Sequence, residues 1–257
     1  MIEENNSFID ILTLSQEPYV LLESGENLKN WGREDEIIYN QQLRQIEKLK
    51  FYRNAFEFIY AHKIKGAYFE FGCHKVRTFR MALTEARKKN MNDMQFYAFD
   101  SFEGLPDCTD NLAQNAQYAP NMLYTSEEEF MDIIIKHNIY VDRVKLIKGY
   151  YENSLTKELI KKLSSEGVKA SLITVDCSLY ESHVAVFDFV KSFLQEGTII
   201  YLDDYRAIYK GSPFLGVPKA FEDFHKNSDF IFTPFLDVGW FGKSFISYKQ
   251  ILLTYNS

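Results

Sequence analysis

The chain has 257 residues, 46% of them hydrophobic and 25% charged, which suits one large folded α/β domain and excludes an extended, disordered chain. Its formal charge of −7 argues against a nonspecific nucleic-acid binder, which needs a surplus of Lys and Arg. Cys73, Cys108 and Cys177 show neither metal-type spacing nor an even-numbered framework, the acidic start Met1-Ile2-Glu3-Glu4 lacks a signal-peptide pattern, and no apolar run is long enough for a membrane span. The expectation is therefore a reduced, cytoplasmic protein.

The first thirty-five or so residues have no clear period and read as irregular. From Glu36 to His62, the residues Tyr39, Leu43, Ile46, Leu49, Phe56 and Ile59 recur at three- and four-residue spacing, predicting an amphipathic helix. Residues 1–64 are read as an N-terminal cap whose helix over 36–62 is a dimerisation element, and 65–257 as the core of a single domain. Next come "GAYFEFG" (66–72) with a helix over 76–90, then "MQFYAFD" (94–100) and a polar insertion at 101–124. A helix over 125–137 starts at Ser126, a residue type that caps helices, followed by three glutamates that suit the first turn.

"RVKLIKG" (143–149) leads to a helix over 153–165, "ASLITVD" (170–176) to one over 180–194, and "GTIIYLDD" (197–204), after the loop 211–218, to one over 218–227. Repeated strand–helix alternation with near-continuous apolar strands predicts a doubly wound, mostly parallel sheet covered on both faces. The last apolar runs, 230–235 and 243–253, have no helix between them and predict an antiparallel hairpin at one edge. The whole reads as a Rossmann-like seven-stranded sheet with an antiparallel C-terminal strand.

In such sheets ligands bind beyond the carboxyl ends of the strands. Four predicted strands end in acids: Glu70, Asp100, Asp176 and the pair Asp203–Asp204. One acid at a strand end ordinarily caps the next helix; four together form a cluster on one rim. Asp100 is suited to accept hydrogen bonds from a ribose diol. Converging carboxylates at Asp176, Asp203 and Asp204 repel one another, and a hard divalent ion such as Mg²⁺ relieves that repulsion.

"YFEFG", "FYAFDSFEGLP" (96–106), "KGYYENSL" (148–155), "ITVDCSLYES" (173–182) and "GTIIYLDDY" (197–205) occur in one order that resembles the macrocin/mycinamicin O-methyltransferase family over roughly residues 66–228. That family uses S-adenosylmethionine to methylate sugar hydroxyls of macrolides and related glycosides. The resemblance implies that Glu70, Gly72 and Cys73 lie at the methionine and ribose end of the cofactor, Asp100 and Ser101 at the ribose, and Tyr151 and Glu152 near the adenine. It implies Mg²⁺ on Asp176, Asp203 and Asp204, catalysis through Asp176 and a lid at 101–124; by position, His183 after the Asp176 loop and His74 by the cofactor turn are further candidates for the base, and Tyr205 and Arg206, directly after the paired acids, for substrate contacts. The implied partner is a small molecule or glycan offering a sugar hydroxyl, handled by a homo-oligomer without nucleic acid or membrane span.

Two departures stand out. The turn after the first strand reads "CHKVRTF" where the family has further small residues, and Ser178 stands where the family has a second acid two residues after Asp176. Ser178 motivates one competing reading, a silent methyltransferase-like binding or scaffold protein. A catechol-type acceptor suits the same metal chemistry. A nicotinamide enzyme would want G-x-G-x-x-G after the first strand, and "GCHKVR" lacks it.

Overall fold

The computed structural model describes residues 28–106, 123–177 and 179–249. The chain forms two compact units, Met1–Phe51 and Tyr52–Ser257, and a long helix α1 (Arg33–Ala61) crosses their boundary. In the first unit, Glu34, Asp35 and Glu36 occupy the opening turn of α1, where carboxylates complement the helix dipole. The Asp35 carboxylate also accepts from the Gly32 amide at 2.8 Å, which fixes the start of the helix.

The second unit is built on a seven-stranded sheet in the order β3-β2-β1-β4-β5-β7-β6. Strands β1 (Ala67–Phe71), β2 (Phe96–Asp100), β3 (Val144–Lys148), β4 (Ala170–Val175) and β5 (Ile199–Leu202) are parallel; β7 (Gly242–Lys249) runs antiparallel between β5 and β6 (Phe230–Val238). This is the predicted doubly wound sheet with its terminal hairpin. Its switch point falls between β1 and β4, so the chain reverses direction across the sheet beside the ends of those two strands.

The connecting helices are α2 (Arg77–Lys88), α3 (Glu127–His137), α4 (Tyr151–Ser154), α5 (Lys157–Ser165), α6 (Tyr180–Val190) and α7 (Gly216–Lys226). Ser126 caps α3, its hydroxyl accepting from the Glu129 amide at 3.1 Å. The single helix expected over 153–165 is two: Thr156 caps α5 by accepting from the Leu159 amide, which starts a new helix after the short α4. The predicted helix over 180–194 closes at Val190 with a 3-10 turn over Lys191–Phe193.

Pleating divides the sheet into two unlike faces. One face is aromatic: Phe69, Phe71, Tyr97 and Phe99 pack with Phe189 and Phe193 into the main core. The other carries a buried polar row. Register pairs align Ala98 with Glu70, Glu70 with Thr174, Thr174 with Tyr201, and Tyr201 with Ser244. With a side-chain period of two, the positions two residues further on, Asp100, Gly72, Asp176 and Asp203, share that face at the carboxyl rim.

The irregular N-terminal stretch lies largely outside the described residues, as do most of the lid insertion, Cys108, Ser178 and the end of the last predicted strand. Among the described residues, no helix is long and apolar enough to cross a membrane.

Candidate active site

Asp176 follows β4, and Asp203 and Asp204 follow β5, which pairs in parallel with β4. Each of the three offers a carboxylate oxygen within 4.8 Å of the others, and Asp203 and Asp204 are buried while Asp176 is part-exposed. Among the described residues no histidine or cysteine joins this group. Three hard oxygen donors packed this closely suit Mg²⁺ or another hard divalent cation, since such an ion offsets a repulsion that the buried setting would otherwise intensify.

Backbone geometry holds the cluster from two sides. The Asp176 amide donates to the Phe71 carbonyl at 2.8 Å, and the Asp203 amide to the Val175 carbonyl at 3.0 Å. Gly72 has φ +87°, and a Cβ there would overlap the Asp176 carbonyl. That glycine is therefore fixed by the approach of β4 as well as by its left-handed conformation. Gly242 opens β7 against the same acids: a Cβ on it would stand 2.8 Å from Tyr201 Cε2 and 3.0 Å from the Asp203 carbonyl oxygen. The neighbouring Phe241 carbonyl accepts from the Arg206 amide at 2.8 Å, clamping the β6–β7 turn onto the Asp203–Asp204 turn.

Asp100 stands across the switch point. Its Oδ2 accepts from the Cys73 amide at 2.7 Å and its Oδ1 from the Phe102 amide at 2.8 Å, tying the loop after β1 to the loop after β2. A carboxylate has about four acceptor sites, so capacity for a diol remains. Ser101 closes its own loop, donating to the Gly104 carbonyl at 2.7 Å and accepting from the Glu103 amide. Cys73 supplies its amide to Asp100, while burial and then the charge of Glu70 hold its thiol well above the ordinary range. Tyr151 packs edge-on to Phe71 with its hydroxyl 3.4 Å from the Phe99 carbonyl, and Glu152 is exposed in the first turn of α4.

Glu70 sits one pleat row below the rim. It is fully buried, and its carboxylate accepts from the hydroxyls of Tyr68 and, at 2.7 Å, Thr78. His183 is buried in α6; its Nδ1 lies 2.7 Å from the Leu179 carbonyl, so Nδ1 carries the proton and Nε2 the lone pair. Nε2 is buried with no hydrogen-bond partner among the described residues, and burial lowers the imidazole pKa to about 4. His74 is half-buried in the turn after β1, its Nδ1 3.1 Å from Thr125 Oγ1, and burial lowers its pKa. Arg206 is ion-paired with Asp237 at 2.9 Å, and Tyr205 packs on Phe245.

Residues the sequence reading passed over also shape the rim. Thr125, just before α3, accepts from the Lys75 amide at 2.9 Å and so pins the turn after β1. That turn is strained: Lys75 and Val76 adopt φ 55° and 57°, left-handed values uncommon for any side chain and most so for a β-branched one. These are the positions where "CHKVRTF" lacks small residues. Trp240, on the turn between β6 and β7, is 62% exposed at the same rim. No local signal marks Thr125, because its role depends on a segment fifty residues away.

A sheet ordered 3-2-1-4-5-7-6 with its last strand antiparallel, an acid closing β2 and acids after β4 and β5 define the class I methyltransferase fold. Residues 35–246 match the macrocin-O-methyltransferase (TylF) family, and the chain belongs to it. Its fold is similar to the structure of the O-methyltransferase NovP, at TM-score 0.65 and 18% identity over 78% of this chain and 79% of that one. It is also similar to CalS11, a calicheamicin methyltransferase, at TM-score 0.60 and 15% identity over 96% and 93% of the two chains. An apo structure of CalS11 described as a TDP-rhamnose 3'-O-methyltransferase aligns at TM-score 0.50 and 14% identity over 96% and 95%. No curated protein matches the sequence.

Proposed function

We propose that this chain transfers the methyl group of S-adenosylmethionine to a sugar hydroxyl, assisted by a divalent cation, most simply Mg²⁺. The observation that carries the reading is the Asp176–Asp203–Asp204 group beside the switch point, in a chain of this family. The cofactor would lie over Gly72 and Cys73, with Asp100 toward the ribose, Ser101 bracing that loop, and Tyr151 and Glu152 toward the adenine. Glu70 supports the floor from below.

The cofactor brings a reactive sulfonium methyl, so the protein's main task is alignment of the acceptor oxygen for in-line displacement. When bound, the cation lowers the pKa of a coordinated hydroxyl and neutralises the three acids, which are its proposed ligands. Asp176, the part-exposed member, is the proposed proton acceptor. The bound cofactor would supply the methyl and take back the S–C bonding pair as the O–C bond forms, and an Asp176 oxygen would receive the hydroxyl proton. His183, sealed in the core, is left to hold the start of α6 rather than to receive that proton. Trp240 offers an exposed apolar face at the rim against which a sugar ring can lie.

Because one structural neighbour is described as acting on TDP-rhamnose, nucleotide-linked deoxysugars are the first acceptors to try, followed by glycosides. The test pairs calorimetric titration of the demethylated cofactor product with methyl transfer in Mg²⁺ and in chelator. Absence of cofactor binding overturns the reading; turnover and Mg²⁺ dependence unchanged in Asp203→Asn overturns the ligand assignment. The proposal extends to a cytoplasmic homo-oligomer, checked by its mass in solution. A second reading rests on Ser178: a binding protein that holds the cofactor without turnover. Cofactor binding with no transfer across a panel of sugars and catechols would select it.

A further inference from the structure

The buried polar row directly beneath the acids has a regular construction. Tyr68 donates its hydroxyl to Glu70, and Tyr201 donates to Asp203 Oδ1; in both cases the carboxylate is two residues on, one pleat further toward the rim. The two tyrosines stand in successive rows: Tyr201 shares a register row with Thr174 and Glu70, and Tyr68 lies one pleat below them. Tyr52, from α1, has its hydroxyl 2.9 Å from that of Tyr68 and 2.8 Å from Thr174 Oγ1. Thr174 is the register partner of both Glu70 and Tyr201. All three phenols are fully buried. Such rows are costly to desolvate and exist only where each member has partners, so their hydroxyls are fixed in direction.

We propose that Tyr201 is a positioning residue for the metal site: its hydroxyl fixes the rotamer of Asp203, so that the carboxylate faces the cation site together with Asp176 and Asp204 rather than turning away from them. This inference rests on the cation-binding reading given above. Three features support it. Asp203 follows β5 in a turn and is buried, so its carboxylate must be held in a defined direction. Tyr201 is anchored in the register of a central strand and so cannot follow the turn. Gly242 leaves the space along which the Tyr201 ring reaches Asp203, with only 3.0 Å between the phenol oxygen and the position of a Cβ. A hydrogen bond from outside the ligand set that orients a ligating group commonly changes metal affinity by about 10- to 100-fold.

The test uses the full chain and Mn²⁺ as the probe, with free Mn²⁺ read by electron paramagnetic resonance in the absence of substrate. Tyr201→Phe keeps the ring and removes only the donor. The expected result is about 10- to 100-fold weaker Mn²⁺ binding, with cofactor-product affinity unchanged and, at saturating metal, kcat recovered. Wild-type protein that binds no Mn²⁺ sinks the metal reading itself. Wild-type binding matched by equal binding in folded Tyr201→Phe sinks the positioning role alone. Should that variant fail to fold, 3-fluorotyrosine at position 201 keeps the hydroxyl and gives a ¹⁹F resonance. The resonance should shift on saturation with diamagnetic Mg²⁺, and a resonance that stays put overturns the inference.

Discussion

Replacing His183 by Asn should flatten the acid side of the stability curve. In the folded chain the imidazole is buried, carries its proton on Nδ1 for the Leu179 carbonyl, and has its pKa lowered from 6.5 to about 4 by burial. The unfolded chain takes up a proton near 6.5, the folded one only near 4, so acid favours unfolding between those values. This group's contribution to stability is full above the unfolded value, falls as pH drops through 6.5, and is spent by about 4. Linkage puts the loss at about 2 kcal/mol at pH 5 and only a few tenths at pH 7. Asparagine places an amide N–H where Nδ1 stood and cannot titrate; it leaves a small cavity whose cost is independent of pH. Urea denaturation of both proteins at pH 5 and pH 7.5 should show the wild type losing about 2 kcal/mol more than the variant over that interval. His137, lowered to about 4 by burial and by Arg80, and His74, also lowered by burial, titrate in both proteins and add the same slope to each. Parallel curves for the two proteins would refute the buried, neutral assignment of His183. The same variant bears on catalysis: if Asp176 takes the proton, kcat at pH 7.5 stays near wild type.

The turn after β1 gives opposite signs at neighbouring positions. Gly72→Ala combines a left-handed backbone with overlap on the Asp176 carbonyl, so it should cost more than about 2 kcal/mol and lower Tm by several degrees in a scanning melt. Lys75→Gly relieves an exposed left-handed residue and should raise stability by about 0.5–1 kcal/mol; an unchanged or lower midpoint in urea would show that the strain is absent. Trp240→Ala removes an exposed side chain, so melting should be unaffected, while KM for the sugar rises about tenfold and that for the cofactor does not; equal sugar KM values would detach Trp240 from acceptor binding.

The sheet and the acid group were legible because both are carried by short-range pattern. Apolar runs ending in an acid, each followed by a helical period, give strand ends directly, and "LDDY" after β5 with "VDC" after β4 identify the residues that meet at the switch point. Glu70 shows where such reading stops. In "YFEFG" it looks like one more strand-end acid, yet β1 continues through Phe71, which sets Glu70 one pleat row lower among Tyr68 and Thr78. Which row an acid occupies depends on where pairing with neighbouring strands ends, and that is a property of register between strands. His183 was illegible for a related reason: its place in α6 is local, but its burial depends on packing from elements elsewhere in the chain. Thr125 and Tyr201 needed the fold as well, since each acts on a partner fixed by tertiary contact.

The same pleat explains why a site so rich in negative charge can be built on a stable strand edge. On the rim, carboxylate oxygens of Asp176, Asp203 and Asp204 lie within 4.8 Å of one another; one row below, the acid of β1 accepts from hydroxyl donors. Uncharged donors suffice for a single buried carboxylate but not for three within 4.8 Å, because hydrogen bonds stabilise each anion without removing the mutual repulsion. The Tyr201 hydroxyl can therefore orient Asp203 but cannot neutralise the group. On the proposed reading the two rows assign different work to similar side chains, structural below and cation-binding above. That division carries a thermodynamic signature: added Mg²⁺ should stabilise wild-type protein by mass action, and Asp203→Asn should lose that gain while keeping the lower row intact. A melt in which both proteins gain equally from Mg²⁺ would place the cation elsewhere.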